Sequence, residues 1–120
     1  MRYDYDLVMI GLGPAGMAVA VMGSEMGLKV LAVEKDKIGG ECMNVGCIPS
    51  KALLRIAKSC TPTPNSFEKI QKDLDYIGSK KTRKMFDKVK LIFGQAQFVD
   101  SHRIEVDGKT YTAKHIFIGT

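Results

Sequence analysis

The chain has 120 residues with 45% hydrophobic and 26% charged, enough for one folded domain with a real core. No apolar run reaches the eighteen or so residues of a membrane-spanning helix, and the stretch Leu7–Val21 is broken by glycines and Pro14. The net charge of +5 does not point to nucleic acid: eight of the eighteen basic residues fall between Lys69 and Lys90, among Glu68, Asp73, Asp75 and Asp87, and read as solvated helix faces without aromatic interleaving.

The opening residues Met1-Arg-Tyr-Asp-Tyr-Asp6 place acids directly before the apolar run, which is not a secretory layout. A cytoplasmic protein is expected, so its thiols are read as catalytic or metal-binding before they are read as structural staples. Tyr5–Ile10 suits a central parallel strand. Gly11-Leu-Gly13-Pro-Ala-Gly16 follows, then a small, apolar helix from Met17 to Met26 that reads as covered on several sides. Gly27 ends it, and Lys29–Val33 is a second strand with Glu34 at its carboxyl end, which completes a right-handed βαβ unit.

The glycines of that unit have separate tasks. Gly11 makes the tight turn, Gly13 lets backbone approach a pyrophosphate, and Gly16 lets helix and sheet pack closely. Free N–H groups at the helix start face the phosphates. Glu34, eighteen residues beyond Gly16, is placed to accept hydrogen bonds from a ribose hydroxyl pair and to disfavour a 2′-phosphate. A glycine triplet alone is weak. Strand, helix and terminal acid together make it a dinucleotide site.

Ile38–Glu41 reads as a loop, followed by Cys42-Met-Asn-Val-Gly-Cys47 and Ile-Pro-Ser-Lys51. A helix is expected over Ile48–Ser59, with Leu53, Leu54, Ile56 and Ala57 on its apolar face and Cys47 at its start, where the helix dipole favours a thiolate. Cys42 lies near enough to close a small disulfide ring with it. The spacing is not a zinc knuckle, and His102 and His115 have no cysteine pair beside them, so no metal site is expected. Two unrelated core thiols are the blander reading, against which Gly46 and Pro49 argue. Lys51, on the same helical face as Cys47, is placed to bring a cation near whichever electron-rich group the thiolate serves, although most lysines are simply solvated. Cys60 reads as an inert thiol at the helix end.

Thr61–Ser66 is a breaker cluster with Ser66 placed to cap a helix from Phe67, and a weakly apolar helical pattern then runs to Lys88, interrupted at Gly78. Val89–Phe93 and Ala96–Val99 read as strands. Arg103–Val106 and Lys109–Thr112 form a hairpin on an Asp107-Gly108 type I′ turn, and His115–Ile118 is a last strand before Gly119-Thr120. The expected fold is α/β, a Rossmann-like parallel sheet with a small antiparallel meander inserted. Its parts are residues 1–60 (βαβ unit and redox helix), 61–88 (helical excursion) and 89–120 (strands and hairpin). Ending on a strand with no helix for the far face, the chain reads as a truncated piece with apolar surface left open.

Gly11-x-Gly13-x-x-Gly16, Glu34, Gly39-Gly40-x-Cys42-x-Asn44-x-Gly46-Cys47-x-Pro49-Ser50-Lys51 and the terminal Ile116-Phe-Ile-Gly-Thr120 resemble the FAD domain of the class I pyridine nucleotide–disulfide oxidoreductases. That family includes dihydrolipoamide dehydrogenase, glutathione reductase and mercuric reductase, the first being nearest in feel. The resemblance implies FAD as the dinucleotide, with NAD(H) or NADP(H) as co-substrate through a downstream domain. It implies a disulfide substrate, lipoamide for the nearest member, and a homodimer. Cys47 would be the thiolate that contacts the flavin, Cys42 the interchange thiol, and Lys51 the lysine near flavin N5. Gly11, Gly13, Pro14, Ala15, Gly16, Glu34, Lys35, Gly40, Glu41, Gly46 and Thr120 would join Cys42, Cys47 and Lys51 around the cofactor. Glu41 departs from the family's usual threonine, and Gly119 from its usual alanine. The NAD(P) domain, the dimerisation domain and the catalytic His–Glu pair of the family lie downstream, so these residues alone are expected to have no turnover. A non-catalytic dinucleotide-binding module is the alternative from another class.

Overall fold

A computed structural model describes residues 2–59, 64–78 and 82–120. Cys60 and part of the predicted breaker cluster lie outside the described residues. Among the described residues no helix is long and apolar enough to cross a membrane.

Strand β1 (Tyr5–Ile10) runs into helix α1 (Pro14–Glu25) and back through β2 (Val30–Glu34). The parallel register pairs Leu7 with Val30 and Ile10 with Val33. β2 is buried along its whole length, as a continuous run of Val, Leu and Ala in a central parallel strand should be. Helix α1 buries a single stripe, Gly16, Ala20, Gly23 and Ser24, at the spacing of one helical face. The expectation of cover on several sides fails here: Met22 and Met26 are 64% and 76% exposed. Small side chains on the buried stripe bring α1 close to Leu7, Met9 and Val30, and Met17, Val19 and Val21 flank the stripe, partly buried against the same core.

The predicted loop at 38–41 is in part helical. Gly40–Asn44 forms a five-residue helix, α2, and α3 (Cys47–Lys58) follows after Val45 and Gly46. No residue of α3 is buried, and Leu53 and Leu54 stand 40% and 54% exposed. Helix α4 (Ser66–Tyr76) packs on α3, ending before Gly78, and α5 (Thr82–Met85) precedes the next strand. Asn65 occupies the N-cap of α4, so Ser66 is its first helical residue instead of its cap. These helices stretch the molecule to 61 × 27 × 18 Å with a radius of gyration of 17.1 Å. A compact chain of this length would give about 14 Å.

Strands β3 (Lys90–Phe93), β4 (Ala96–Asp100), β5 (Arg103–Val106) and β6 (Lys109–Ile118) complete a six-stranded sheet in the order β3-β2-β1-β6-β5-β4. The two short strands expected over 109–118 are one. Its first half pairs antiparallel with β5, Ile104 opposite Tyr111, and its second half pairs parallel with β1, Val8 opposite Ile116. Asp107 and Gly108 carry φ of 50° and 79°, the two positive values a type I′ hairpin needs.

The order of strands has a geometric consequence. In a flat sheet β3 and β4 would stand five spacings apart, about 24 Å. Only Gly94 and Gln95 join them, and three residue steps reach at most about 11 Å. The sheet must therefore curl until its two edges approach. A Cβ built on Gly94 would meet Val106 Cγ1 at 2.8 Å, which places the hairpin across the face of the parallel strands. That closure covers the far face at β1 and β2, whereas the expected open apolar surface persists on β6, where Phe117 and Ile118 are 49% and 65% exposed. Val8, Leu31 and Val33 are at most 1% exposed and cluster with Ile104, Val106 and Ala113, while α1, Phe86 and Val89 cover the other face. Each such Val, Leu, Ile or Phe side chain stabilises by about 1.5–3 kcal/mol when buried, so the meander serves as the missing layer over β1 and β2.

Candidate functional site

The site lies at the carboxyl ends of β1 and β2. Gly11 turns at φ +90°, its N–H donates to Val33 O at 2.8 Å, and a Cβ on it would sit 2.7 Å from Gly119 O. Gly16 allows closer contact still, since a Cβ there would fall 1.9 Å from Gly11 O. Gly13 differs from both. The nearest atom to a Cβ built there is Gly119 O at 3.9 Å, so its backbone is open to the cleft. Gly13 is the N-cap of α1, and Pro14 takes the first helical position, where its missing N–H costs nothing. Met17 N–H is the first bonded within the helix, to Gly13 O at 2.9 Å, leaving the Ala15 and Gly16 N–H groups at an end that attracts anions. A pyrophosphate fits this cradle.

Glu34 closes β2 at 9% exposure. Its Oε2 accepts from Leu12 N–H at 2.7 Å and its Oε1 from Asp36 N–H at 3.1 Å. A carboxylate has about four lone-pair positions, so both oxygens keep capacity for ribose hydroxyls. Glu34 thus ties the Gly11–Gly16 turn to the segment after β2, a structural task that its place in the motif did not reveal.

The dithiol segment is fastened to the same loop. Gly39 N–H donates to Leu12 O at 2.7 Å, and Gly39 and Gly40 adopt φ of 98° and 60°. A Cβ on Gly40 would lie 3.1 Å from Gly13 Cα, which fixes α2 beside the phosphate cradle. Between the cysteines the chain doubles back tightly: Val45 N–H donates to Glu41 O at 2.9 Å, and a Cβ on Gly46 would be 3.0 Å from that oxygen. Cys47 then opens α3, with Gly46 as N-cap.

The two thiols are free and adjacent, Cys42 half-buried and Cys47 exposed. A hydrogen bond between the two side chains, with burial and the neighbouring sulfur's charge, holds the Cys42 thiol above the usual range. The Cys47 backbone N–H donates to the Cys42 sulfur and works the other way. Among the described residues no group of three or more His, Cys, Asp or Glu could hold a metal ion.

A cleft of about 890 Å³ joins these parts, within the range of small-molecule and cofactor sites. Of the expected site residues, Gly11, Gly13, Pro14, Ala15, Glu34, Lys35, Gly40, Glu41, Cys42 and Thr120 line it. Gly16 is buried beneath the turn, and Gly46, Cys47 and Lys51 do not form part of this wall. Cys42, the more protected thiol, is therefore the one on the cleft surface. Asn44, Gly94, Gln95, Ala96 and Gly119 also line the cleft and were not foreseen. Gly94–Ala96 reach it because the sheet curls, a non-local event that leaves no local pattern in the sequence.

Residues 5–120 match the family described as pyridine nucleotide-disulphide oxidoreductase. The chain is 39% identical to a dihydrolipoyl dehydrogenase of Thermus scotoductus, covering 97% of this chain and 29% of that protein. It is 35% identical to a mercuric reductase of Staphylococcus aureus, covering 98% of this chain and 25% of that protein. Among solved structures it resembles the HOCl-induced flavoprotein disulfide reductase RclA of Escherichia coli, with a TM-score of 0.87 at 30% identity, over 97% of this chain and 28% of that one. The chain spans less than a third of the length of these relatives.

Proposed function

The chain belongs to the pyridine nucleotide-disulphide oxidoreductase family, and from that premise we propose that its protein is a dihydrolipoyl dehydrogenase in which Cys42 and Cys47 form the redox disulfide. The dinucleotide is FAD, with NAD(P)H as co-substrate, as the family and its flavoprotein neighbours imply. The cradle fits it: Gly13 and the start of α1 would hold the pyrophosphate and Glu34 the adenosine ribose. When bound, FAD supplies the two-electron carrier between the thiol pair and the pyridine nucleotide.

The chain's own chemistry is thiol exchange. A thiolate of the substrate dithiol bonds to the Cys42 sulfur and breaks the Cys42–Cys47 bond, which leaves Cys47 as the thiolate. The second substrate thiolate, its proton lost to solvent, then closes the substrate disulfide and displaces Cys42, which takes up a proton. The substrate is oxidised by two electrons and the pair is reduced by two. The observation that carries this reading is the placement of two free thiols at either end of one tight turn, closed by Val45 N–H on Glu41 O, with Cys47 opening α3, where the start of a helix favours a thiolate. Lys51, one turn along α3, is the cation proposed to meet the flavin, and a homodimer completes the site with groups outside these 120 residues.

The test is an anaerobic titration of the flavin-bound, full-length protein with dihydrolipoamide. A long-wavelength absorbance band at two electrons, lost in Cys47→Ser and kept in Cys42→Ser, is the expected result. Bound flavin with no such band in the unaltered protein would leave a dinucleotide-binding module without disulfide chemistry. The mercuric reductase at 35% identity makes Hg(II) the competing substrate for an adjacent, accessible thiol pair. Turnover of NADPH with Hg(II) and none with lipoamide would favour it. The 120 residues alone are expected to sustain no turnover, and steady NADH-dependent disulfide reduction by them would refute this.

A further inference from the structure

Asn44 sits between the two cysteines, and neither the phosphate cradle nor the thiol exchange uses it. Its side chain has one orientation that satisfies its neighbours: Nδ2 donates to Gly40 O at 2.8 Å and to Ile38 O at 3.1 Å. Two carbonyl acceptors fix which end of the amide is nitrogen. The two bonds fasten the middle of the Cys42–Cys47 bridge to the 38–40 turn. That turn is itself held by Gly39 N–H on Leu12 O, and it abuts Gly13 through Gly40. Asn44 lines the cleft as well.

We propose that Asn44 is a positioning residue for the dithiol, setting how readily Cys42 and Cys47 close to a disulfide. The inference rests on the redox reading of the pair given above. Four residues between two cysteines have many conformations in which the sulfurs are far apart, whereas closure needs the Cα atoms within about 4.4–6.8 Å. In the reduced chain the thiols are already hydrogen-bonded to each other, so closure requires little rearrangement. The Asn44 clamp, the Val45 N–H bond to Glu41 O and the close packing of Gly46 maintain that state, and of these only the clamp is a side-chain interaction that can be removed without disturbing backbone. Without it the reduced bridge gains freedom that the disulfide must remove, and the effective concentration of one thiol at the other falls.

The experiment equilibrates the flavin-bound, full-length protein in glutathione buffers, where the two thiols give up two electrons and two protons and glutathione disulfide becomes two glutathione thiols. The closed fraction is read by alkylation and peptide mapping, which separates Cys42 and Cys47 from Cys60. Asn44→Ala is expected to lower the closure constant about tenfold, the contribution of one to two ordinary hydrogen bonds. Asn44→Asp, which keeps the shape and loses the donor, is expected to do the same and serves if the alanine variant does not fold. Ser50→Ala removes a 3.1 Å bond to Cys47 O inside α3 without touching the 38–40 turn, and is expected to stay within about twofold. Closure constants in both Asn44 variants equal to that of the unaltered protein, or an equal fall in Ser50→Ala, would overturn the role of Asn44. Failure of the unaltered protein to form the Cys42–Cys47 bond would overturn the redox reading itself.

Discussion

Replacing Glu34 with glutamine separates two tasks that the acid at the end of β2 performs. The carboxylate is nearly buried and accepts two backbone N–H groups, those of Leu12 at 2.7 Å and Asp36 at 3.1 Å, with Leu12 itself fully buried. Glutamine keeps the shape but has one oxygen, so its NH₂ must face one of these donors. A hydrogen bond to a charged group contributes about 1.5–3 kcal/mol and a neutral one about 0.5–1.5, and an orphaned buried N–H costs about 1–3 kcal/mol. Losing one bond and weakening the other comes to about 2–3 kcal/mol. At about 4 °C or more per kcal/mol for a domain of this size, the melting temperature should fall by roughly 10 °C. The assay is urea unfolding of flavin-free protein followed by circular dichroism, with a lowered midpoint and an unchanged slope. An unchanged midpoint together with weakened flavin binding would mean that Glu34 serves the ligand alone, and would refute the structural role.

Gly16→Ala should prevent both folding and flavin retention, because its Cβ would lie 1.9 Å from Gly11 O and backbone must move. A cost of more than about 3 kcal/mol is expected in urea unfolding, and a variant that unfolds like the parent would contradict the packing. Cys47→Ser should shift the pH at which Cys42 is alkylated downward, since the bond to Cys47 is the largest cause holding that thiol above its usual range. An unmoved alkylation profile would show that burial alone sets it. Asp100 is held below the usual carboxylate range, first by His102 N–H and then by the Arg103 guanidinium. Its folded-state value is lower than its unfolded one, so its stabilising contribution is full above about pH 4 and disappears as pH falls through the folded value. Asp100→Asn should therefore lower the urea midpoint at neutral pH and flatten its decline in acid. A parallel acid limb in the variant would speak against this.

Features set by neighbours in sequence were legible, and those set by distant contacts were not. Gly11, Gly13 and Gly16 announce the cradle because each requirement is local to one turn, and Asp107-Gly108 announces its hairpin because the two positive φ values belong to those two residues. The start of α3 at Cys47 is equally local. Gly39-Gly40 misled because a glycine pair suggests a loop, yet the left-handed Gly40 begins a short helix whose far end is held by Asn44. The cover on Val8 and Leu31 was missed because it comes from Ile104 and Val106, residues brought there by curling and not by any pattern around β1. For the same reason Gly94–Ala96 gave no sign that they line the cleft.

The place of β6 fixes an order of events during synthesis. Tyr5 pairs with Ala113 and Ile10 with Ile118, so β1 waits about a hundred residues of synthesis for the strand that pairs with it. Meanwhile β1 and β2 have the crossover helix between them but a bare edge where β6 belongs, and the β4–β5 ribbon has no central strand to dock on. Such an edge is where newly made chains pair with the wrong neighbour. Slowing translation through 109–118 should therefore lower the soluble yield more than the same delay placed within 66–76, where the chain is making a helix from its own adjacent residues.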